Sequence, residues 1–275
     1  IDVVILCGKK DKDVLHLAID SIRKYGKDIR KVVVVSPEKF TNSAEWFDEK
    51  NYPFSKKDVI REIFQDEKKA EEYLQTPKNR ANWLYQQLLK FYAPFVIPGL
   101  GSHVLVLDSE VIFLKPVAFL GENGESLFPV GTEHYEPYFE HAKRLIPGFT
   151  KVFPSFSGIC HHMIFQKEIL QDLFHTVEGV HHTEFWKAFC RCCDHKELFG
   201  SFASEYEIYF NYVFIRTDQM KIRPLKWMNI PELRLSHYKR QGYDFVAYQD
   251  WCRRTTPKEK KGFFHKIAKW FSKKT

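Results

Sequence analysis

The sequence predicts an α/β fold with a mixed, mainly parallel sheet flanked by helices, and three observations predict it. Residues 3–7 and, after Lys31, residues 32–35 are continuous apolar runs, the pattern of strands buried on both faces. Between them Val14, Leu15, Leu17, Ala18 and Ile22 recur at helical spacing up to Gly26, so the two strands are joined by one helix and the crossover is right-handed and parallel. Val104-Leu105-Val106-Leu107 then repeats the buried-strand pattern after a second helical stretch.

The elements follow in order. The first strand is stopped by Gly8 and the second by Ser36-Pro37. Residues 41–78 are polar and weakly periodic, and read as short helices on the rim. From Asn79 to Phe95 the spacing of Trp83, Leu84, Gln87, Leu88, Phe91 and Tyr92 is helical, with Pro94 and Pro98 at its end. In that pattern Trp83 reads as core. The third strand runs into Asp108-Ser109-Glu110 and resumes as Val111-Ile112-Phe113-Leu114. Residues 121–126 form a turn, Phe128-Pro129-Val130 a short strand, and 133–141 an aromatic loop. A strand is expected over 156–165 with Ser157-Gly158 at its start, and a helix from Lys167 to about Val177. Another helix starts at Ser204, and Phe245-Val246-Ala247-Tyr248 is strand-like. With no internal repeat, the division is one domain over 1–252 and a tail over 253–275.

At 275 residues, with 44% apolar and 16% aromatic side chains, the chain fills a sizeable core, which rules out disorder for most of it. Its net charge of +7 is a property of the tail: residues 253–275 hold nine Lys or Arg against Glu259, which is +8, so residues 1–252 carry 7 − 8 = −1. A neutral body argues against nucleic acid as a partner. Six cysteines, two of them adjacent, do not look like a disulfide framework and favour a reducing compartment. No apolar run approaches the roughly 18 residues of a membrane span, and no leader pattern stands at the start. In the tail, Phe263, Phe264, Ile267, Trp270 and Phe271 recur at three and four among lysines. That pattern fits an in-plane helix on an anionic membrane surface through 258–275, the alternative being a helix docked on the body or a partner. The expectation is a cytoplasmic protein with a peripheral contact on the inner face of a membrane.

Ligands of parallel sheets sit beyond the carboxyl ends of the strands, which places Cys7, Gly8, Lys9 and Ser36 at the ligand edge. Asp108 and Glu110, two apart on an extended chain, share a side and could hold Mg²⁺ or Mn²⁺ against a diphosphate; the alternative is a pair of acids that merely ends a strand. His181-His182 with Cys190, Cys192, Cys193 and His195 are zinc-competent types, but their spacing is not that of a paired knuckle, and the cysteines also fit the buried side of a helix.

Four blocks carry a resemblance: residues 82–90 (Asn82-Trp83 to Lys90), the strand with Asp108-Ser109-Glu110, residues 156–165 with Ser157-Gly158, and Ser204-Glu205-Tyr206-Glu207-Ile208-Tyr209. In this order they resemble a family of uncharacterised bacterial and viral proteins similar to GT-A glycosyltransferases, and more distantly glycogenin-type transferases. The resemblance implies a GT-A fold and transfer of a sugar from a nucleotide-diphosphate sugar to a glycan or lipid-linked acceptor, with Mn²⁺ or Mg²⁺. It further implies donor binding by Cys7, Gly8, Lys9, Ser36, Gln87, Lys90, Asp108 and Ser109, and metal binding by Asp108, Glu110 and His237. Asp-Ser-Glu departs from Asp-x-Asp, and Gln249 stands where a histidine would follow Tyr248. Glu205 is expected to take the proton of the acceptor hydroxyl. Glu207 also fits a capping box with Ser204. On a strand His161 and His162 would face opposite ways, and His162 with Glu207 is expected on the acceptor side, under loop 133–141. The other reading is a non-catalytic protein of nucleotide-sugar fold, targeted by its tail.

Overall fold

The computed structural model describes residues 1–253. The apolar run at the start is β1 (Asp2–Leu6), from which α1 (Leu15–Tyr25) leads back to β2 (Lys31–Ser36). β3 (Glu45–Asp48), α2 (Lys56–Phe64) and α3 (Glu67–Gln75) form the rim, and α4 (Ala81–Val96) runs through Pro94 rather than stopping there. β4 (His103–Asp108), β5 (Val111–Phe113), β6 (Ser126–Phe128), α5 (Glu136–Leu145), β7 (His162–Gln166), α6 (Lys167–His181) and α7 (Phe185–Arg191) follow. The described chain ends through α8 (Glu205–Arg216), β8 (Met220–Ile222), β9 (Trp227–Asn229), α9 (Leu235–Arg240), β10 (Phe245–Ala247) and α10 (Asp250–Arg253).

The central sheet has the order β3-β2-β1-β4-β7, parallel except for β7. This is the expected α/β class. Because β1 to β3 build outward in one direction and β4 is laid on the other side of β1, the order reverses between β1 and β4, where a crevice opens beyond the carboxyl ends. The register brings Leu6 level with Asp108 on one side and with Val35 on the other. Helices from both faces bury their apolar stripes against the sheet. Tyr209, Phe91, Phe165, Phe185 and Phe189 lie fully inside.

Three expectations change. The aromatic loop expected over 133–141 is helical from Glu136 onward, as the start of α5. The strand expected over 156–165 is confined to His162–Gln166, and residues 156–161 run as an irregular loop into which His161 is set at φ 64°. Gly158 lies so close to α8 that a Cβ there would meet Phe210 Cβ at 2.5 Å and the Tyr206 carbonyl at 2.6 Å. Apart from a single antiparallel bridge between Ser157 and Gly131, this segment packs closely on a helix rather than pairing as a strand. The zinc-type residues are also dispersed: Cys190, Cys192 and Cys193 are core, His181 Nε2 lies 2.9 Å from the Leu145 carbonyl, and His195 Nε2 lies 3.0 Å from that of Ile63. Among the described residues no three His, Cys, Asp or Glu side chains gather to hold a metal, and no helix is long and apolar enough to cross a membrane.

Candidate functional site

At the β1–β4 crevice the strand ends deliver their side chains to one place. Cys7 follows β1, and its thiol, hydrogen-bonded to Ser109, is pushed up to about 12 by burial. A protonated buried thiol lines the floor and is no nucleophile. Gly8 is exposed, with open space around its Cα, and a short 3₁₀ turn (Lys9–Asp11) carries the chain away.

The centre of the site is Lys90, from the middle of α4. Its ammonium lies 2.5 Å from Asp108 Oδ1, 2.7 Å from Glu205 Oε1 and 3.1 Å from the Tyr206 hydroxyl, and 4.3 Å above the Tyr206 ring. Burial alone would push the lysine down, but the carboxylates of Asp108 and Glu205 hold it well above its usual value. Asp108 is the converse: burial would raise its carboxyl, and Lys90 and His161 hold it far below the ordinary range. Its second oxygen lies 3.2 Å from His161 Nδ1, on which Gln249 Nε2 also sits at 3.1 Å. The left-handed backbone at His161 turns that ring toward Asp108, a conformation that costs a non-glycine residue about 1–3 kcal/mol. Glu110 stands beside them, hydrogen-bonded to Ser109 at 2.9 Å, with its carboxyl raised to about 7 by burial and by the charges of Asp108 and Asp11.

Several expected residues lie elsewhere or act otherwise. Ser36 is buried, but its hydroxyl is spent on the Glu38 carbonyl at 2.7 Å, and Lys9 lies at the surface, paired with Glu38 at 3.4 Å. Gln87 receives the Glu205 N–H on its Oε1 at 3.2 Å, seating the first turn of α8 on α4. His162 is not on an acceptor surface: it is fully buried among Phe113, Phe119 and Phe245, and burial lowers its imidazole to about 3. His161 takes the place expected of it, because β7 begins only at His162 and the left-handed residue before it, not the first strand residue, faces Asp108. Glu207 is also inside, bonded to the Ser157 hydroxyl and 3.1 Å from Asn211 Nδ2, so the capping box is only half formed, by Ser204 accepting the Glu207 N–H. His237 is exposed on α9 against Tyr238, apart from the acids it was expected to join. Tyr206, Asp11 and Arg253 were not foreseen. Arg253 ties the end of α10 to Asp11 at the edge of the crevice.

The donor set fits a divalent cation in one limited sense. Asp108 and Glu205 are buried acids on Lys90, and Glu110 is a third buried acid beside Asp108, its carboxyl raised by burial and by the charges of Asp108 and Asp11. Two carboxylates without a third protein ligand is the set by which Mg²⁺ is held together with substrate phosphates rather than in an all-protein cage.

A family model, described as a family of unknown function (DUF6492), matches residues 5–235. No curated protein matches the sequence. Among solved structures, mouse xyloside xylosyltransferase 1 in its apo form is similar over 93% of this chain and 100% of that one, at 11% identity and a TM-score of 0.44. An active-site mutant of LgtC is similar over 95% and 99%, at 11% identity and a TM-score of 0.47.

Proposed function

The chain belongs to the DUF6492 family, and we propose that it is a glycosyltransferase that moves a sugar from a nucleotide-diphosphate sugar to a glycan or lipid-linked acceptor. The observation that carries this reading is the Lys90–Asp108–Glu205 cluster at the carboxyl edge where the sheet order reverses. The resemblance of the four sequence blocks to GT-A glycosyltransferases supports it.

Lys90 is the fixed positive charge nearest the expected diphosphate, held in place by two carboxylates so that it need not reorganise as charge develops on the leaving group. Asp108 and Glu110 would hold the cation, which supplies Lewis-acid neutralisation of the diphosphate. Tyr206 and His161 hydrogen-bond Asp108 from two sides and set its orientation. Glu205, positioned by Lys90 and by the start of α8, is the carboxylate that takes the acceptor proton. The acceptor lies between residues 133–141, which run into the first turns of α5, and the start of α8. The basic segment 258–275, outside the described residues, would hold the enzyme on an anionic membrane surface near a lipid-linked acceptor.

The test is a panel of nucleotide-diphosphate sugars scored for released nucleotide with and without Mn²⁺ or Mg²⁺, on the wild type and Glu205→Gln. One donor should be turned over in a cation-dependent way, and the variant should lose at least a hundredfold in kcat, the lower range for removing a general base, while still binding that donor. Unchanged turnover in the variant would remove Glu205 from the chemistry; failure of every donor with a folded protein would favour a non-catalytic binding protein.

A further inference from the structure

Four side chains stand at i, i+3, i+7 and i+10 along one face of α4 and its first cap: Arg80, Trp83, Gln87 and Lys90. Lys90 and the Oε1 of Gln87 are spent on the cluster described above. Arg80 is different. Its Nη2 reaches the Ser201 hydroxyl at 2.9 Å, its guanidinium lies 4.8 Å over the Trp83 ring, and its Nε is buried with no hydrogen-bond partner. Half-buried, it is pushed below its usual value by desolvation, and among the described residues only the phenols of Tyr138 and Tyr73 offset that, with no carboxylate paired to it. Half-buried charges in proteins are ordinarily paired, because the loss of water costs more than an unpaired charge recovers. Gln87 supplies an independent sign on the same stripe: it is 3% exposed and its Nε2 has no partner. A guanidinium N–H without a partner or counter-ion calls for a negatively charged oxygen acceptor, and the unspent amide N–H two turns along the same face calls for a further oxygen.

We propose that Arg80, at the far end of the stripe from Lys90, binds the acid group of an acidic sugar, one carrying a carboxylate or phosphate, with Gln87 between the two ends. Ten residues of helix separate Arg80 from Lys90, about 15 Å at 1.5 Å per residue, so Arg80 addresses a group one or two sugar rings away from the reacting centre and not the diphosphate at Asp108. A guanidinium meets a carboxylate or phosphate with two parallel hydrogen bonds, which makes the group selective for the acid over a hydroxyl. Tyr138, bonded to Ser201, and the Trp83 ring wall the subsite. The inference rests on the glycosyl-transfer reading only for whether donor or acceptor carries the acid.

Isothermal titration of the full chain with glucuronate and glucose 6-phosphate, against glucose as the neutral control, tests it without turnover. The acidic sugars should bind more tightly than glucose; Arg80→Gln should weaken them at least tenfold and leave glucose unchanged, and Arg80→Lys should recover part of the loss. Equal binding of acidic and neutral sugars by the wild type, or equal binding of acidic sugars by the wild type and a folded Arg80→Gln, overturns the subsite. Should Arg80→Gln fail to fold, the comparison is carried by Arg80→Lys, which keeps the charge and loses the fork; undiminished binding there also overturns it. Saturation with a nucleotide-diphosphate uronate that displaces glucuronate, where the neutral nucleotide sugar does not, assigns the acid to the donor; binding on top of both assigns it to the acceptor. A chain that binds acidic sugars through Arg80 and turns over no nucleotide sugar keeps the subsite and loses the proposed reaction.

Discussion

Lys90 shows how a single residue carries both the stability and the chemistry of the crevice. It is 4% exposed, and it separates two carboxylates that would otherwise face each other out of water. Removing one partner of a buried ion pair leaves an uncompensated charge, at a cost of about 3–5 kcal/mol. Lys90→Met should therefore lower the melting temperature by roughly 10 °C or more and abolish sugar transfer, and adding Asp108→Asn should restore part of the stability but none of the activity. A melting temperature within a degree or two of the wild type would mean that the carboxylates are not held apart by Lys90. At this scale the sequence was informative about type and poor about pairing. Asp108 and Glu205 stand out by their positions at a strand end and a helix start, and Lys90 as a charge in the middle of an apolar helix, but nothing in the order of residues says that a lysine on α4 closes on two acids 18 and 115 positions away.

The elements that position these residues were legible where periodicity was strong. β1, β2, β4 and α4 follow from uninterrupted apolar runs and helical spacing, and with them the crevice. The loop 156–161 was not, because its residues alternate as a strand would while its job is to meet α8. There Ser157 bonds Glu207 and Gly158 touches the helix backbone, which fixes the first turn of α8 and so the direction of Glu205. With β7 starting only at His162, His162 enters the core and His161, on the left-handed loop residue before it, faces the site. Gly158→Ala puts a methyl group 2.5 Å from Phe210 Cβ, and such overpacking costs about 1–3 kcal/mol. The expected outcome is a moderate fall in thermal stability with a larger fall in kcat than in donor affinity, since α8 carries Glu205. If kcat and donor affinity fall together, α8 does not set the position of a group used only in the transition state.

Across the whole molecule, charge is divided more sharply than structure. The body carries −1 and the segment from Arg253 onward +8, and the last described residue of that segment is pinned to Asp11 at the rim of the crevice. Residue 258 therefore lies at most about 18 Å of extended chain from Arg253, which is tied to the rim of the crevice. On the membrane reading proposed above, the anionic surface that holds the start of this segment lies on the side of the crevice where Arg253 is tied. Each lysine or arginine near an anionic leaflet contributes about 1 kcal/mol, and this attraction falls off within a Debye length, so binding should weaken steeply with salt. The full chain should sediment with phosphatidylserine vesicles at low salt and not with neutral ones. A chain ending at residue 257 should stay in solution with an unchanged melting temperature, and should turn over a soluble acceptor as well as the full chain does while losing rate on the same acceptor anchored in a vesicle. Equal sedimentation of both chains would place the membrane contact on the body, and an equal rate on the anchored acceptor would detach the tail from catalysis.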